Sequence, residues 1–182
     1  MRGALLLLGS VLLATSCVTK AAPAPAPAPT AQAKERTDAD ATLELAIHDL
    51  VNAHRRSKGL PPLTLDPRIN RLARLHSAAM ATGKVKVGHD GFRERAKLLS
   101  QDGPKKVAEN VIWDFGHADP ATEIVQGWLK SANHRENIEG PYEHTGVGVA
   151  RDMTGAIYVT QLFVGASHAT RNAGSSLARA GH

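Results

Sequence analysis

Apolar residues in the first half of the chain recur every three or four positions, which is the spacing of an amphipathic helix. One such run extends from Leu43 to Ala53 and lies between the segment TDAD (37–40) and the segment GLPP (59–62). Polar capping residues start helices, whereas Gly and Pro end them. The pattern therefore predicts a first helix that begins near residue 37 and ends before Gly59.

Two later helices are predicted to begin at an Asp-Pro pair. Asp66–Pro67 precedes an apolar run that reaches Met80, and Asp119–Pro120 precedes a second run that reaches Leu129. Asp at the N-cap followed by Pro at the first helical position is a strong start signal. A shorter helix is predicted between them over 91–99. Trp128 shares one helical face with Ile124, Val125 and Leu129, so we expect it in the core.

The periodicity changes in the last third of the chain. TGVGVARD (145–152) and AIYVTQLFV (156–164) are rich in β-forming residues and are joined by DMTG, which predicts a hairpin. The segment KKVAENVIW (105–113) predicts a further strand. Three helices, a strand, a helix and two strands follow each other in this order. The order predicts a mixed α+β domain in which helices cover an antiparallel sheet.

Length and charge exclude one class of function. The chain has 182 residues, a formal net charge of +5 and only 4% aromatic residues. This charge is mild and scattered, and few rings are available to stack on bases, so we expect no nucleic-acid partner. The length fits one domain with appendages, and we expect a monomer.

The N-terminus has the features of an export signal. Arg2 precedes a short apolar run (4–14), and Ala14, Thr15 and Ser16 precede Cys17, the only cysteine of the chain. This junction resembles a bacterial lipobox, although Ala14 occupies a position where Leu is usual. We therefore expect residues 1–16 to be a signal peptide and Cys17 to be lipidated, which makes the protein a cell-envelope lipoprotein. A plain secretory signal is the alternative.

Composition defines the remaining boundaries of the domain. Alternating Ala and Pro follow Cys17, which predicts a semi-rigid tether over 17–36. Small polar residues without periodicity fill 167–182 and predict a disordered tail. The folded domain is then expected over 37–166. Val18 after Cys17 is not an Asp retention signal, so the outer membrane is favoured in a cell that has one.

Six segments in order carry a resemblance to a known family. They are the stretch from Leu50 to Gly83, GHDGFRERA (88–96), AENV (108–111), GWLKSANHRENI (127–138), HTGVGVARD (144–152) and IYVTQLFV (157–164). Together they resemble the CAP superfamily of cysteine-rich secretory, antigen 5 and pathogenesis-related 1 proteins, and its bacterial secreted SCP-like branch in particular. The resemblance covers nearly all of residues 43–164. It implies an α-β-α sandwich with a mostly antiparallel central sheet between helical layers.

The resemblance also implies a cavity lined by His and acidic residues. His89, Glu109 and His134 match three of the four family positions, and Ser131 stands where eukaryotic members have a second Glu. We therefore expect a ligand site formed by these four residues. His89 and His134 are the candidate ligands for zinc or another divalent metal, and we expect no cofactor to be required.

Local chemistry adds one expectation about His134. Asn133 and Glu136 are three residues apart and resemble a capping box at the start of a short helix. His134 would then lie in the first turn, where the helix dipole favours the neutral imidazole that binds metals. The other histidines are weaker candidates for ligand or metal binding. We interpret His48, His54 and His76 as surface or packing residues. His117 and His144 flank turns near the motifs, and we expect them to face solvent, with a role as third ligand as the alternative.

Three functions from different classes are compatible with these residues. The first is a membrane-tethered module that binds a small molecule, a lipid or a cell-wall component. The second is a metal-assisted hydrolase with Glu109 as the base. The third is a structural or adhesive surface domain. The chain contains no HExxH and no GxSxG motif, and no complete catalytic set is evident, so the sequence favours binding over turnover.

Overall fold

The computed structural model describes residues 31–103 and 105–166, with side chains from residue 38 onward. The predicted signal peptide, Cys17, most of the tether and the tail lie outside this part. Within it the elements are α1 Ala31–Ser57, β1 Thr64–Leu65, α2 Pro67–Ala81, α3 Phe92–Leu99, β2 Lys105–Asp114, α4 Pro120–Lys130, α5 Ala132–Glu139, β3 His144–Arg151 and β4 Ile157–Ala166. None of these helices is long and apolar enough to cross a membrane.

A four-stranded sheet in the order β1-β3-β4-β2 forms the middle layer. β4 pairs antiparallel with both β2 and β3, and only the short β1 runs parallel to its neighbour. On one face α2 and α3 pack through Ile69, Ala73 and Leu99. On the other face α1, α4 and α5 bury the larger core around Ile47, Trp128 and Phe163. The predicted α-β-α sandwich with a mostly antiparallel sheet is confirmed.

Two glycines of β3 allow α2 to lie directly on the sheet. A Cβ atom at Gly146 would lie 2.3 Å from the backbone nitrogen of Asn70, and one at Gly148 would lie 2.1 Å from that of Arg74. No side chain fits in that space. The predicted start of α2 is also confirmed, because the carboxylate of Asp66 accepts hydrogen bonds from the first backbone amides of the helix. α2 is thus fixed at both its start and its middle.

The first helix begins earlier than its apolar pattern predicts. α1 starts at Ala31, inside the segment 17–36 that we interpreted as a tether. The residues after the last proline, AQAKER (31–36), are strong helix formers, so the helix extends before its apolar face begins. That face is narrower than expected, because Leu45 is 54% exposed whereas Leu43 and Ile47 are buried.

The predicted capping box of the short helix is wrong. α5 begins at Ala132 with Ser131 as its N-cap, so Asn133 is the second residue of the helix. Ser131 also ends α4, where its backbone amide donates to the carbonyl of Trp128. The two helices share this one residue as their boundary, which leaves no room for a separate cap at Asn133. His134 still lies in the first turn of α5.

Candidate functional site

Glu109 is the centre of a buried polar cluster on the face of the sheet that carries α2 and α3. Its side chain is only 1% exposed. The Nε and Nη2 atoms of Arg95 in α3 donate to the two carboxylate oxygens at 2.8 and 2.9 Å. The Nδ1 atom of His89 donates to Oε1 at 3.0 Å. Both oxygens of Glu109 are therefore engaged, and the guanidinium neutralises the carboxylate charge.

The contact with Glu109 fixes which atom of His89 faces outward. A carboxylate only accepts hydrogen bonds, so the proton of the neutral ring is on Nδ1 and the lone pair is on Nε2. The His89 side chain is 53% exposed. A carboxylate that orients a histidine through one ring nitrogen in this way is typical of sites where the other nitrogen binds a metal or ligand. His89 is thus oriented for binding through Nε2.

His134 lies on α5, which covers the outer edge of β2. The side chain of Asn110 donates to the backbone carbonyl of His134 at 3.0 Å. The side chain of Asn137 donates to Asn110 Oδ1 at 2.9 Å and to the backbone carbonyl of Glu109 at 3.3 Å. Because neighbouring strand residues face opposite sides, Asn110 and Glu109 connect β2 to different layers. β2 therefore holds His89 and His134 at one edge of the sheet.

Burial lowers the pKa of His134, and the neighbouring His89 ring acts in the same direction. The effect of His89 requires the two rings to be within electrostatic range of each other. His134 is therefore neutral at neutral pH and has a lone pair for a ligand. This agrees with the protonation state expected for it, and burial is the main cause of the lowered pKa.

The structure brings some, but not all, of the four predicted site residues into contact. Glu109 and His89 form a direct hydrogen bond, and the ring of His134 is within electrostatic range of His89. Ser131 is half-buried at the junction of α4 and α5, and its side chain makes no helix-capping bond. In the described part of the chain, no group of three or more His, Cys, Asp or Glu side chains is arranged to hold a metal ion.

Two residues of this cluster were not found from the sequence. Arg95 pairs with Glu109, and a charged residue on a short polar helix gave no sign of this contact. His76 is only 4% exposed, and its Nε2 atom donates to the backbone carbonyl of Gly88 at 2.7 Å. The burial of His76 was predictable from the sequence, because His76 continues the buried face of Ile69, Ala73 and Met80 on α2. By bonding Gly88, His76 supports the loop that carries His89.

The two histidines considered as a third ligand have other roles. The Nδ1 atom of His117 bonds the carboxylate of Asp114, which lies five residues along β2 from Glu109, or about 17 Å. His144 is exposed and begins β3, on the far side of β4 from β2. Neither extends the cluster around Glu109.

The buried histidines make stability depend on pH. Burial is the main cause that lowers the pKa of His76, as it does for His134. The folded chain then binds fewer protons than the unfolded chain, whose histidines titrate near pH 6.5. The stabilising contribution is complete above about pH 6.5 and is lost as the pH falls below it toward the folded pKa values.

We therefore expect the melting temperature to be constant from pH 8 to about 6.5 and to fall as the pH drops below about 6.5. His76→Gln keeps a donor for Gly88 but does not titrate, so this variant should show a shallower fall. His144→Gln, at an exposed position, is the matched control. Equal slopes in the wild type and both variants, measured by calorimetry across this range, would contradict the assignment.

The structure is a small α-β-α domain with a His-Glu pair at the edge of β2. The chain belongs to the CAP family, described as the cysteine-rich secretory protein family, whose sequence model matches residues 48–163. The curated protein YkwD of Bacillus subtilis, described as uncharacterized, is 32% identical over 127 residues, which cover 67% of this chain and 47% of YkwD. The chain thus spans about half the length of this relative.

Solved structures share the fold at low sequence identity. An extracellular protein containing an SCP domain from Bacillus anthracis aligns with a TM-score of 0.59 and 24% identity, over 77% of this chain and 45% of that one. A cysteine-rich secretory protein from Staphylococcus aureus gives 0.54 and 24%, over 69% and 38%. An outer surface protein from Borrelia burgdorferi gives 0.58 and 13%, over 69% and 94%.

Proposed function

We propose that this protein is an extracytoplasmic, membrane-tethered CAP domain that binds a ligand at the edge of β2. The ligand is a small molecule, a lipid or a cell-wall fragment, and it contacts His89 and His134. One observation carries the proposal: Glu109 is bound on both oxygens, and its bond to His89 leaves the Nε2 atom of that ring for a ligand. The site is thus constructed to present imidazole nitrogens.

The same observation disfavours the hydrolase. A general base must be free to take a proton from water, and Glu109 accepts three hydrogen bonds while it neutralises Arg95. Ser131 replaces the second acidic residue of the family pattern and does not supply a base. Binding without turnover is therefore the function that the contacts of Glu109 support.

A divalent metal fits this site only in part. Zinc binds readily to two neutral imidazoles, but protein zinc sites usually have three or four protein ligands. Glu109 is engaged with Arg95, whose positive charge also repels a cation. We therefore propose a weak and exchangeable metal on His89 and His134, with the remaining positions open to water or to groups of the ligand.

The proposed location rests on the N-terminal segment and on the relatives. Cys17 follows a short apolar run in the sequence, and acyl chains at Cys17 would tether the domain to a membrane. The descriptions of two structural neighbours as extracellular and as an outer surface protein support an extracytoplasmic location. Fractionation of cells that express Cys17→Ser tests the tether, because the unacylated variant should be released or misprocessed.

Zinc calorimetry on the purified protein tests the site. We expect one weak site per chain, and His89→Ala or His134→Ala should each weaken it by at least about tenfold, because each removes a ligand. His144→Ala, which removes an exposed histidine elsewhere on the sheet, is the matched control and should bind as the wild type does. Equal affinity in all four proteins would refute the proposed metal site and would favour a structural or adhesive function.

A further inference from the structure

Three large apolar side chains are exposed at one end of the sheet. Trp113 and Phe115 are each 56% exposed, and Met153 is 98% exposed. We call these three residues the hairpin-end patch. The chain has two Trp, two Tyr and three Phe, so the exposure of a Trp and a Phe two positions apart uses a large share of its aromatic residues. Large apolar side chains that are exposed at the same end of a domain are candidates for an interaction site.

The strand register shows that the patch residues lie at the same end. Trp113 on β2 is opposite Tyr158 on β4, and Tyr158 is opposite Ala150 on β3. Met153 belongs to the turn that joins β3 to β4, and Phe115 directly follows β2. All three residues therefore lie where β2 ends and the hairpin turns, at the opposite end of β2 from Lys105.

The first helix points its N-terminus toward this same end. Asp40 of α1 accepts a hydrogen bond from Arg151 Nε at 2.7 Å, where β3 reaches the hairpin. Further along α1, the carboxylate of Glu44 accepts from the amide of Val149. The N-terminal end of α1 therefore points toward the hairpin. About nine residues, or about 13 Å of helix, extend from Asp40 to the start of α1 at Ala31. Any anchor attached through residues 1–30 is joined to the domain at the end that carries the patch.

Charges of both signs lie at this end: Lys84 and Lys86 follow α2, Asp119 follows Phe115, and Asp152 precedes Met153. α2 runs from β1 toward the hairpin, because the amide of Asp66 bonds the carbonyl of Thr145 and the hydroxyl of Ser77 bonds the carbonyl of Gly148. Lys84 and Lys86 follow the end of α2 and are exposed. A Trp among exposed apolar side chains, with charged residues around them, is typical of surfaces that enter the headgroup region of a membrane.

We infer that the hairpin-end patch inserts into the interface of a lipid bilayer and holds the domain against the membrane in a fixed orientation. Trp suits this position, because its ring enters the apolar layer while its N–H stays among the headgroups. The choice of a bilayer as the occupant rests on the proposed tether, which would bring the patch close to the membrane. The His-Glu site lies four residues, or about 13 Å, along β2 from Trp113.

Tryptophan fluorescence on the full-length protein bound to phosphatidylcholine–phosphatidylglycerol vesicles tests this inference. Trp113 is half exposed and Trp128 is fully buried, so only Trp113 can contact lipid. We expect brominated lipids to quench part of the emission, and Trp113→Phe to abolish that quenching. Phe115→Ser/Met153→Ser keeps Trp113 as the reporter and should also lose the quenching, because the patch no longer inserts.

The matched control, Leu75→Ser/Leu98→Ser, replaces exposed leucines on α2 and α3 and should keep the quenching. Absence of lipid quenching in the wild type would overturn the inference. So would a dimer in sedimentation experiments in which Trp113 is protected without lipid, because the partner would then be a second copy. Failure of the tether is read separately, from unchanged membrane fractionation of Cys17→Ser.

Discussion

Trp128→Ala is expected to lower the free energy of unfolding by about 3–5 kcal/mol, the usual cost of truncating a buried Trp. Its side chain is fully buried between α1 and the sheet. No hydrogen bond of its Nε1 atom is present in the described residues, so the loss comes from packing alone. A small domain has only about 5–15 kcal/mol of total stability, and the variant should retain a minor part of it.

Trp113→Ala is the matched control for this prediction. The same side chain is removed at a position that is 56% exposed, where substitutions usually change stability by about 0.5 kcal/mol or less. Urea unfolding of both variants measures the difference. If Trp128→Ala and Trp113→Ala had similar midpoints, the core of the structure would be wrong around α4.

Glu109→Ala is expected to have a second large effect, of about 3–5 kcal/mol, because it leaves the guanidinium of Arg95 without its partner. The Arg95 side chain is only 11% exposed and the Glu109 side chain 1%, so water does not readily replace the lost carboxylate. The variant should also weaken zinc or ligand binding, because His89 loses the bond that orients its ring. Unfolding and binding can be measured on the same preparation.

The double variant Arg95→Met/Glu109→Leu shows whether the cost of Glu109→Ala comes from the unpaired buried charge of Arg95 or from loss of the ion pair itself. Removal of both members of a buried ion pair is often neutral or stabilising, whereas removal of one is costly. We expect the double variant to be more stable than Glu109→Ala, although it no longer orients His89. If the changes in unfolding free energy of Arg95→Met and Glu109→Leu, measured singly, simply added up to that of the double variant, Arg95 and Glu109 would not form the buried pair.

Regular elements with a clear period were predictable from the sequence. The apolar face of Ile124, Val125 and Trp128 gave α4, and the residues that alternate around Val147 and Val149 gave β3. The Asp-Pro pairs gave the starts of α2 and α4. In each case a local signal coincided with the burial that the fold required, so pattern and structure agreed.

The features that the sequence did not predict have physical reasons. β1 has two residues, held by the backbone amides of Thr64 and Asp66, which donate to the carbonyls of Glu143 and Thr145. A strand this short has no hydrophobic period that could be predicted. Arg55 lies in the last turn of α1, and its buried guanidinium donates to the carbonyls of Ile138 and Gly140. Such contacts join segments about 80 residues apart, and the sequence contains no local sign of them.

The candidate site was predictable only through family resemblance. That resemblance named His89, Glu109 and His134, but the partner of Glu109 depends on how α3 packs on β2, which brings Arg95 to the carboxylate. The distinction matters for function, because Arg95 changes Glu109 from a free base into a neutralised support for His89. The expected chemistry of the site follows from this one contact.

NMR observation of the histidine side chains during a zinc titration tests the central claim most directly. We expect the ring resonances of His89 and His134 to shift together and to saturate at one zinc per chain, with His89 protonated on Nδ1 and bound through Nε2. The resonances of His144, an exposed histidine, should not move. A shift of only one of the two rings, or an equal shift of His144, would contradict a shared site at the edge of β2.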